Sequence, residues 1–490
     1  MAQKQKFWLL TISATVSLML SCTESYPGLD FDQTEGRDSI GNQDSWAEST
    51  PIKVFVNEQD IFIIRSGTRS STRGVGPFDS TDPDNENRLD NATFYVLAFR
   101  DGKYTQGSNA ELQKPTDLRW WSYAQDGPNG WNDNDKTHNH NHCLLDGLRY
   151  NYGLPMYLNA GGSGLLDLYP SKDKGSEGSQ SRTEYYYSSD NQQVPYNFFA
   201  YYLDNMPVEA HRTETSFYYD AEIDGTQDVM CGAAPDLLSQ IRSGKLGTKW
   251  DVLSADEKRT LENIGGYCTF AAHRGIHPEV RMKHLLTRFR FIVYPADNSA
   301  DDITIKKISI ESRHKRNAGK LVVAARYTDD IGFTFMDKSP TESTPLYLRE
   351  PYDSSRGYCP DLESKTVTWN PDKKKAEQKR DTIGSSLMLA PDTGYILYLE
   401  GTQMKEDKYG DPSSKKAYDF HSAYTLSIDD LDRSEKNRTP DGSYWFAPGN
   451  IYNIQIAVYG LKEIEIKAYI DGWVDGGTIE KDEEDNWFNF

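Results

Sequence analysis

Cysteine is scarce in this chain, with five in 490 residues, and none forms a Cys-x-x-Cys pair. A zinc ribbon or a thioredoxin-type redox centre is therefore excluded. Local catalytic signatures are missing too: there is no Gly-x-Ser-x-Gly elbow, no His-Glu-x-x-His, no Walker loop and no Gly-x-Gly-x-x-Gly after a strand. Spacing cannot nominate a glycosidase dyad among 74 acidic residues, so the chain reads as a non-enzyme without a cofactor. Positive charge is also short. Lys and Arg number 54 against 74 Asp and Glu, a net charge of −20, which repels nucleic acid and offers no basic membrane patch. After residue 20 no apolar run approaches the roughly 20 residues of a transmembrane helix.

What is abundant is aromatic. Thirty-one Tyr and 10 Trp in a chain of mean hydropathy −0.73 favour strands and contact-forming loops over helices. Lys4 and Lys6 precede the apolar run Phe7–Leu20 and then Ser21-Cys22, which predicts a signal peptide over residues 1–21. Cys22, just after a small residue, sits where a lipobox cysteine would be acylated, although Met19 stands where such boxes usually carry Leu. Residues 22–51 are polar and acidic and read as a lipidated tether, so the acyl chains would be the sole membrane attachment.

Strand signals follow in close order. Ile52–Ile64 comes first and runs into Arg65-Ser-Gly-Thr-Arg-Ser-Ser-Thr-Arg-Gly74, an exposed small-residue loop open to proteolysis. Ala92–Arg100 is a dense strand, and Tyr185-Tyr-Tyr187 and Val194–Tyr202 are aromatic rows whose rings are assigned to the core. Residues 236–265 form a helical insertion, with Ser254-Ala-Asp-Glu257 as a capping box. Ile303 and Ile305 give way to Ile308 and Ile310 across Lys306-Lys307, which predicts a bulge there. Near the end, Ile454, Ile456 and Val458, then Ile464, Ile466, Ala468 and Ile470, predict a hairpin with one polar face. Many short strands between Gly and Pro turns indicate antiparallel sandwiches.

Two clusters are site-like. His138, His140 and His142 could converge on a transition metal, but no carboxylate motif frames them and no metal is assigned. Asp133-Asn-Asp135 lacks the Gly and closing Glu of an EF-hand and is rejected as a calcium loop. Trp120, Trp121 and Trp131 are candidates for stacking on a glycan or a partner protein. Cys143, Cys231, Cys268 and Cys359 could form two disulfides in any of three connectivities, or stay as buried thiols.

Four motifs in order carry a resemblance: Val96-Leu-Ala-Phe99, Phe198-Phe-Ala-Tyr-Tyr202, His284-Leu-Leu-Thr-Arg288, and Ile470-Asp-Gly-Trp-Val-Asp-Gly-Gly477 after Pro448-Gly449. Together they resemble the fimbrillin family, the FimA-like subunits of type V pili and related surface lipoproteins. The resemblance implies two transthyretin-like antiparallel β-sandwich domains, 52–280 and 281–477, and an acidic tail over 478–490. It further implies that Ile52–Ile64 is cut away by an arginine-specific protease at Arg69 or Arg73, and that the groove then takes a strand from another pilus subunit. The expected location is the outer membrane and the fimbrium, facing a host or bacterial surface glycan or protein. Because Thr478–Asp485 is acidic, it would make a poor donor strand, which favours a tip or accessory subunit. The alternative is a lipoprotein that binds glycans through aromatics and never polymerises.

Overall fold

The computed structural model describes residues 50–57, 92–100, 143–145, 153–160, 165–169, 187, 193, 195–204, 206, 208–212, 216–298, 303–325, 330–342, 344–351, 353, 355–356, 358–406, 415–428, 438–439, 442–458 and 464–472. The fold is mostly β. Its first sheet contains β1 (Val54–Asn57), β2 (Thr93–Arg100), β3 (Cys143–Leu145), β4 (Leu154–Ala160), β5 (Leu165–Tyr169), β6 (Tyr196–Tyr202), β9 (Met230–Ala233) and β10 (Glu279–His284). The strand order is β3-β2-β4-β5-β1-β10-β9-β6, and β6 pairs back onto β2, so the pairing runs in a closed circuit. Closure removes free edges from the strands in the circuit.

Both faces of β2 and β6 are buried. Phe94, Val96, Ala98, Phe198, Ala200 and Tyr202 join one core cluster, with Val54, Val56, Val280 and Met282. Leu97, Phe99, Phe199 and Tyr201 join another, with Phe217, Tyr219, Leu321 and Val323 from a neighbouring sheet. Two-sided burial explains why these stretches read as dense apolar runs rather than alternations. That neighbouring sheet is β14-β13-β8-β7, built from β7 (Val208–Arg212), β8 (Ser216–Glu222), β13 (Ala318–Ala325) and β14 (Gly332–Phe335). It draws strands from both sides of position 280, and β13 pairs with β8 from Ala318↔Glu222 to Ala325↔Ser216.

Between β9 and β10 lie α1 (Leu237–Arg242), α2 (Thr248–Asp251), α3 (Ala255–Ile264) and α4 (Thr269–Ala272). The expected capping box is present: Ser254 Oγ accepts from Glu257 N, and Ser254 N donates to the Glu257 carboxylate at 2.9 Å. Gly265, at φ 72°, ends α3 in the left-handed conformation.

The remaining sheets face one another. One is β17 (Asp381–Leu389), β11 (Thr287–Pro295), β20 (Asn450–Val458) and β21 (Ile464–Gly472), in that order. The other runs β15 (Leu346–Tyr347), β12 (Ile303–Ser312), β18 (Gly394–Glu406), β19 (Lys415–Ser427), with β16 (Lys365–Thr366) also on β12. Phe289, Phe291, Ile454 and Ile456 meet Ile305, Ile308, Leu397 and Leu399 in a single apolar cluster, and Phe289 packs edge-on against Tyr395 at 4.9 Å between centroids. The predicted hairpin β20–β21 is present, with Ile456 opposite Ile466 and Val458 opposite Ile464. The predicted bulge is also there, since Ile305 pairs with Gly401 and Lys307 with Glu400, leaving Lys306 extra.

The stretch 281–294, which carries the motif His284-Leu-Leu-Thr-Arg288, is not one continuous strand. The chain breaks at Leu285-Leu286, so β10 and β11 belong to different sheets. The face of β11 opposite Phe289 is not a solvent face either: Arg288 and Arg290 are 1% and 8% exposed. Arg288 Nε donates to Ser386 Oγ at 2.6 Å, which offsets part of the cost of that burial.

Candidate strand-exchange site

The strand expected to be cut away, Ile52–Ile64, contains β1, and the residues around β1 form the candidate site. In Val54-Phe-Val56, two buried valines flank a half-buried Phe55. Val54 and Val56 are 1% and 0% exposed. They project among Phe94, Val96, Phe198, Met230 and Val280. The strand is not at an edge. It lies between β5, antiparallel with Val56 opposite Leu166, and β10, parallel with Val56 opposite Val280. Removing it would expose two unpaired strand edges at once.

Several contacts hold it in place. Phe55 N donates to Pro278 O at 3.0 Å, and the Phe55 ring lies 5.8 Å from the His277 ring. Just before the strand, Thr50 is buried; its carbonyl accepts from Tyr187 N at 3.1 Å, and its hydroxyl lies 2.5 Å from His273 Nε2. The two core valines contribute about 3–6 kcal/mol of gross burial at ~1.5–3 kcal/mol each. Ile61, Phe62, Ile63 and Ile64 of the expected strand lie outside the described residues.

Electrostatics beside the strand are shaped by burial. Desolvation, then Lys53 and Lys249, push His277 down to about 4. The same desolvation raises the Tyr187 hydroxyl well above its ordinary value. Cys268 and Cys231 are buried free thiols, raised by burial to about 11 and about 12, so they are poor nucleophiles and the two-disulfide arrangement is not formed.

Other expected sites fall elsewhere. Cys22, Arg69, Arg73, Trp120, Trp121, Trp131, His138, His140 and His142 lie outside the described residues, as do the signal region 1–21 and the tail 478–490. Among the described residues, no group of three or more His, Cys, Asp or Glu is placed to hold a metal. Tyr187, Tyr196, Phe198 and Tyr202 are core residues, as assigned. Sequence reading missed His273 and His277, which become neighbours of β1 and of Thr50 only through a loop closure of more than 200 residues. It also missed Asp228 and His284, a buried pair at 2.9 Å where the chain leaves the first sheet.

No family model matches this chain, and no curated protein does either. In structure it is similar to a candidate cell adhesion protein of Bacteroides uniformis, with TM-score 0.35, 10% identity and coverage of 86% of this chain and 98% of that one. A candidate cell adhesion protein of Bacteroides ovatus gives 0.34, 10%, 87% and 99%. The fimbrial anchor protein Mfa2 of Porphyromonas gingivalis gives 0.29, 11%, 86% and 98%. Identities of 10–11% and TM-scores of 0.29–0.35 transfer neither a residue role nor a partner to this chain.

Proposed function

We propose that this chain is a fimbrial subunit or adhesin, exported as an outer-membrane lipoprotein through Cys22 and assembled by strand exchange at the place of β1. The observation that carries the reading is the seating of β1. It is a short strand with two core valines, held between β5 and β10 and followed in sequence by a Ser- and Gly-containing stretch with Arg65, Arg69 and Arg73. A groove emptied of that strand would have two open backbone edges and an unfilled apolar row, and only another strand supplies both kinds of partner. The acidic stretch Thr478–Asp485 makes this chain a poor donor, so a receiving role at a tip or accessory position is proposed.

Cleavage by an arginine-specific protease tests the reading. Mass spectrometry should find a new N-terminus after Arg69 or Arg73. In the presence of a peptide with alternating apolar residues, the cleaved protein should lose the Ile52–Ile64 fragment and gain the peptide. Clean cleavage with the fragment still seated and no peptide taken up would sink the exchange. Fibres grown from this protein alone would refute the tip role while leaving exchange intact.

A further inference from the structure

The face of β11 turned away from Phe289 and Phe291 carries a buried charge that strand exchange does not use. Arg290 is 8% exposed, and its Nε and Nη2 are buried with no hydrogen-bond partner among the described residues. A guanidinium stays charged and acts only as a donor, so burying it without an acceptor is costly. Arg288, two residues earlier on the same face, is a second buried positive charge. Arg380 is a third cation there, 5.1 Å over the ring of Tyr294. The register shows what stands beside them. The row of Arg290 carries Asn453 on β20 and Tyr469 on β21, and no acid. Asp471 shares the row of Arg288, two strands away, and Lys467 shares the row of Ile292. Asp381 on β17 is held by Lys379 at 2.8 Å and by Lys365 at 3.6 Å.

Burial of this face is greatest at one end. Arg288, Arg290, Ser386 and Asn453 are buried, whereas Ile292, Tyr294 and Gln455, further along, are partly exposed. The buried end is the one at which the chain leaves β21. Gly472 pairs with Asn450, one residue before Ile451, which is the partner of Arg288. Two strand spacings, about 10 Å, separate β21 from β11. Residues 473–479 can span roughly 23 Å when extended, and Asp475-Gly476-Gly477 among them supplies a turn. Next in sequence come Glu480, Asp482, Glu483, Glu484 and Asp485, with Lys481 as the one cation among them. Carboxylates are the groups that the guanidinium fork matches in both shape and charge.

We propose that this acidic stretch folds back across the outer face of its own sheet and places a carboxylate on Arg290. The occupant is a segment of the same chain, and the pairing offsets charge on both sides, because neighbouring acids that repel one another meet a row of arginines. The proposal is independent of strand exchange, since β11 and β1 belong to different sheets. A tail held in this way is also withheld from any neighbouring subunit.

Arginine footprinting of the full chain with phenylglyoxal, read by mass spectrometry, tests it, with the exposed Arg259 as internal reference. In the parent, Arg290 should react far more slowly than Arg259. The length-preserving variant E480Q/D482N/E483Q/E484Q/D485N should keep the circular dichroism of the parent. It should raise the Arg290 rate about tenfold or more, because the pairing that holds the face closed is gone. The charge-conserving variant E480D/D482E/E483D/E484D/D485E should keep the slow rate. Arg290 equally slow in the neutralised variant would overturn the proposal. Release of Arg290 by D471N and not by the tail variant would also overturn it, and would assign the counter-ion to Asp471. Protection that fades on dilution, with the mass of a dimer by light scattering, would assign the tail to a second copy and overturn the pairing within one chain.

Discussion

His277 shows how a single side chain ties stability to pH. Burial favours its neutral form, and Lys53 and Lys249 add to that preference, which lowers it from the ordinary 6.5 to about 4. The unfolded chain therefore takes up a proton between about pH 6.5 and 4 that the folded chain refuses. The stability this group contributes is full above pH 6.5 and is lost as pH falls through about 4. Over that window the loss is on the order of 3 kcal/mol. His277→Gln should flatten this part of the pH profile, measured by urea unfolding at pH 7 and pH 4; an unchanged slope would remove His277 as its source. Gly232 is constrained differently. A Cβ there would lie 1.9 Å from the Arg281 carbonyl oxygen on the adjacent strand, with no flexible group to give way. Gly232→Ala should cost about 3 kcal/mol or more, because overpacking against backbone cannot be relieved by rotamer change. Chemical denaturation of the variant against the parent measures it.

At the scale of the element, β12 offers a sharp test of register. Because Lys306 is the extra residue, deleting it leaves Ile303, Ile305, Ile308 and Ile310 on one face with unbroken alternation. That deletion should stay within about 1 kcal/mol of the parent. Deleting Ser309 instead would turn Ile310 out of the core and should abolish the cooperative transition followed by circular dichroism. The bulge was legible because isoleucine spacing changes phase at one point. Similar physics made β20, β21 and the Ser254–Glu257 cap legible, each being local in sequence. β7 and β8 do alternate, with Phe217, Tyr219 and Ala221 buried between more exposed Tyr218, Asp220 and Glu222, but nothing local announces that β8 is held by β13, a hundred residues onward. The setting of β1 was only half legible. Its alternation announced a strand, but nothing local announces a parallel partner more than 200 residues away, nor the Thr50–His273 contact beside it.

For the molecule as a whole, the proposed sandwiches 52–280 and 281–477 share more than a linker. β13 belongs to the second by sequence and pairs along its length with β8 of the first. Tyr201 and Tyr219 hydroxyls meet at 2.5 Å in the layer between the first sheet and this shared one, inside a cluster that also reaches Ile454 and Leu397. A fragment 281–477 produced alone would lose β8, leaving β13 with a free edge and Leu321 and Val323 without their facing side chains. It should bind a hydrophobic dye, melt well below the parent and recover its stability when 52–280 is supplied in trans. Co-purification of the two fragments by size exclusion, followed by calorimetry, measures both effects. A lone 281–477 that melts cooperatively at the parent temperature would mean that the sheet pairing across position 280 adds nothing. Then strand loss at β1 would disturb the first part alone, whereas shared pairing makes the second part feel it through β8 and β13.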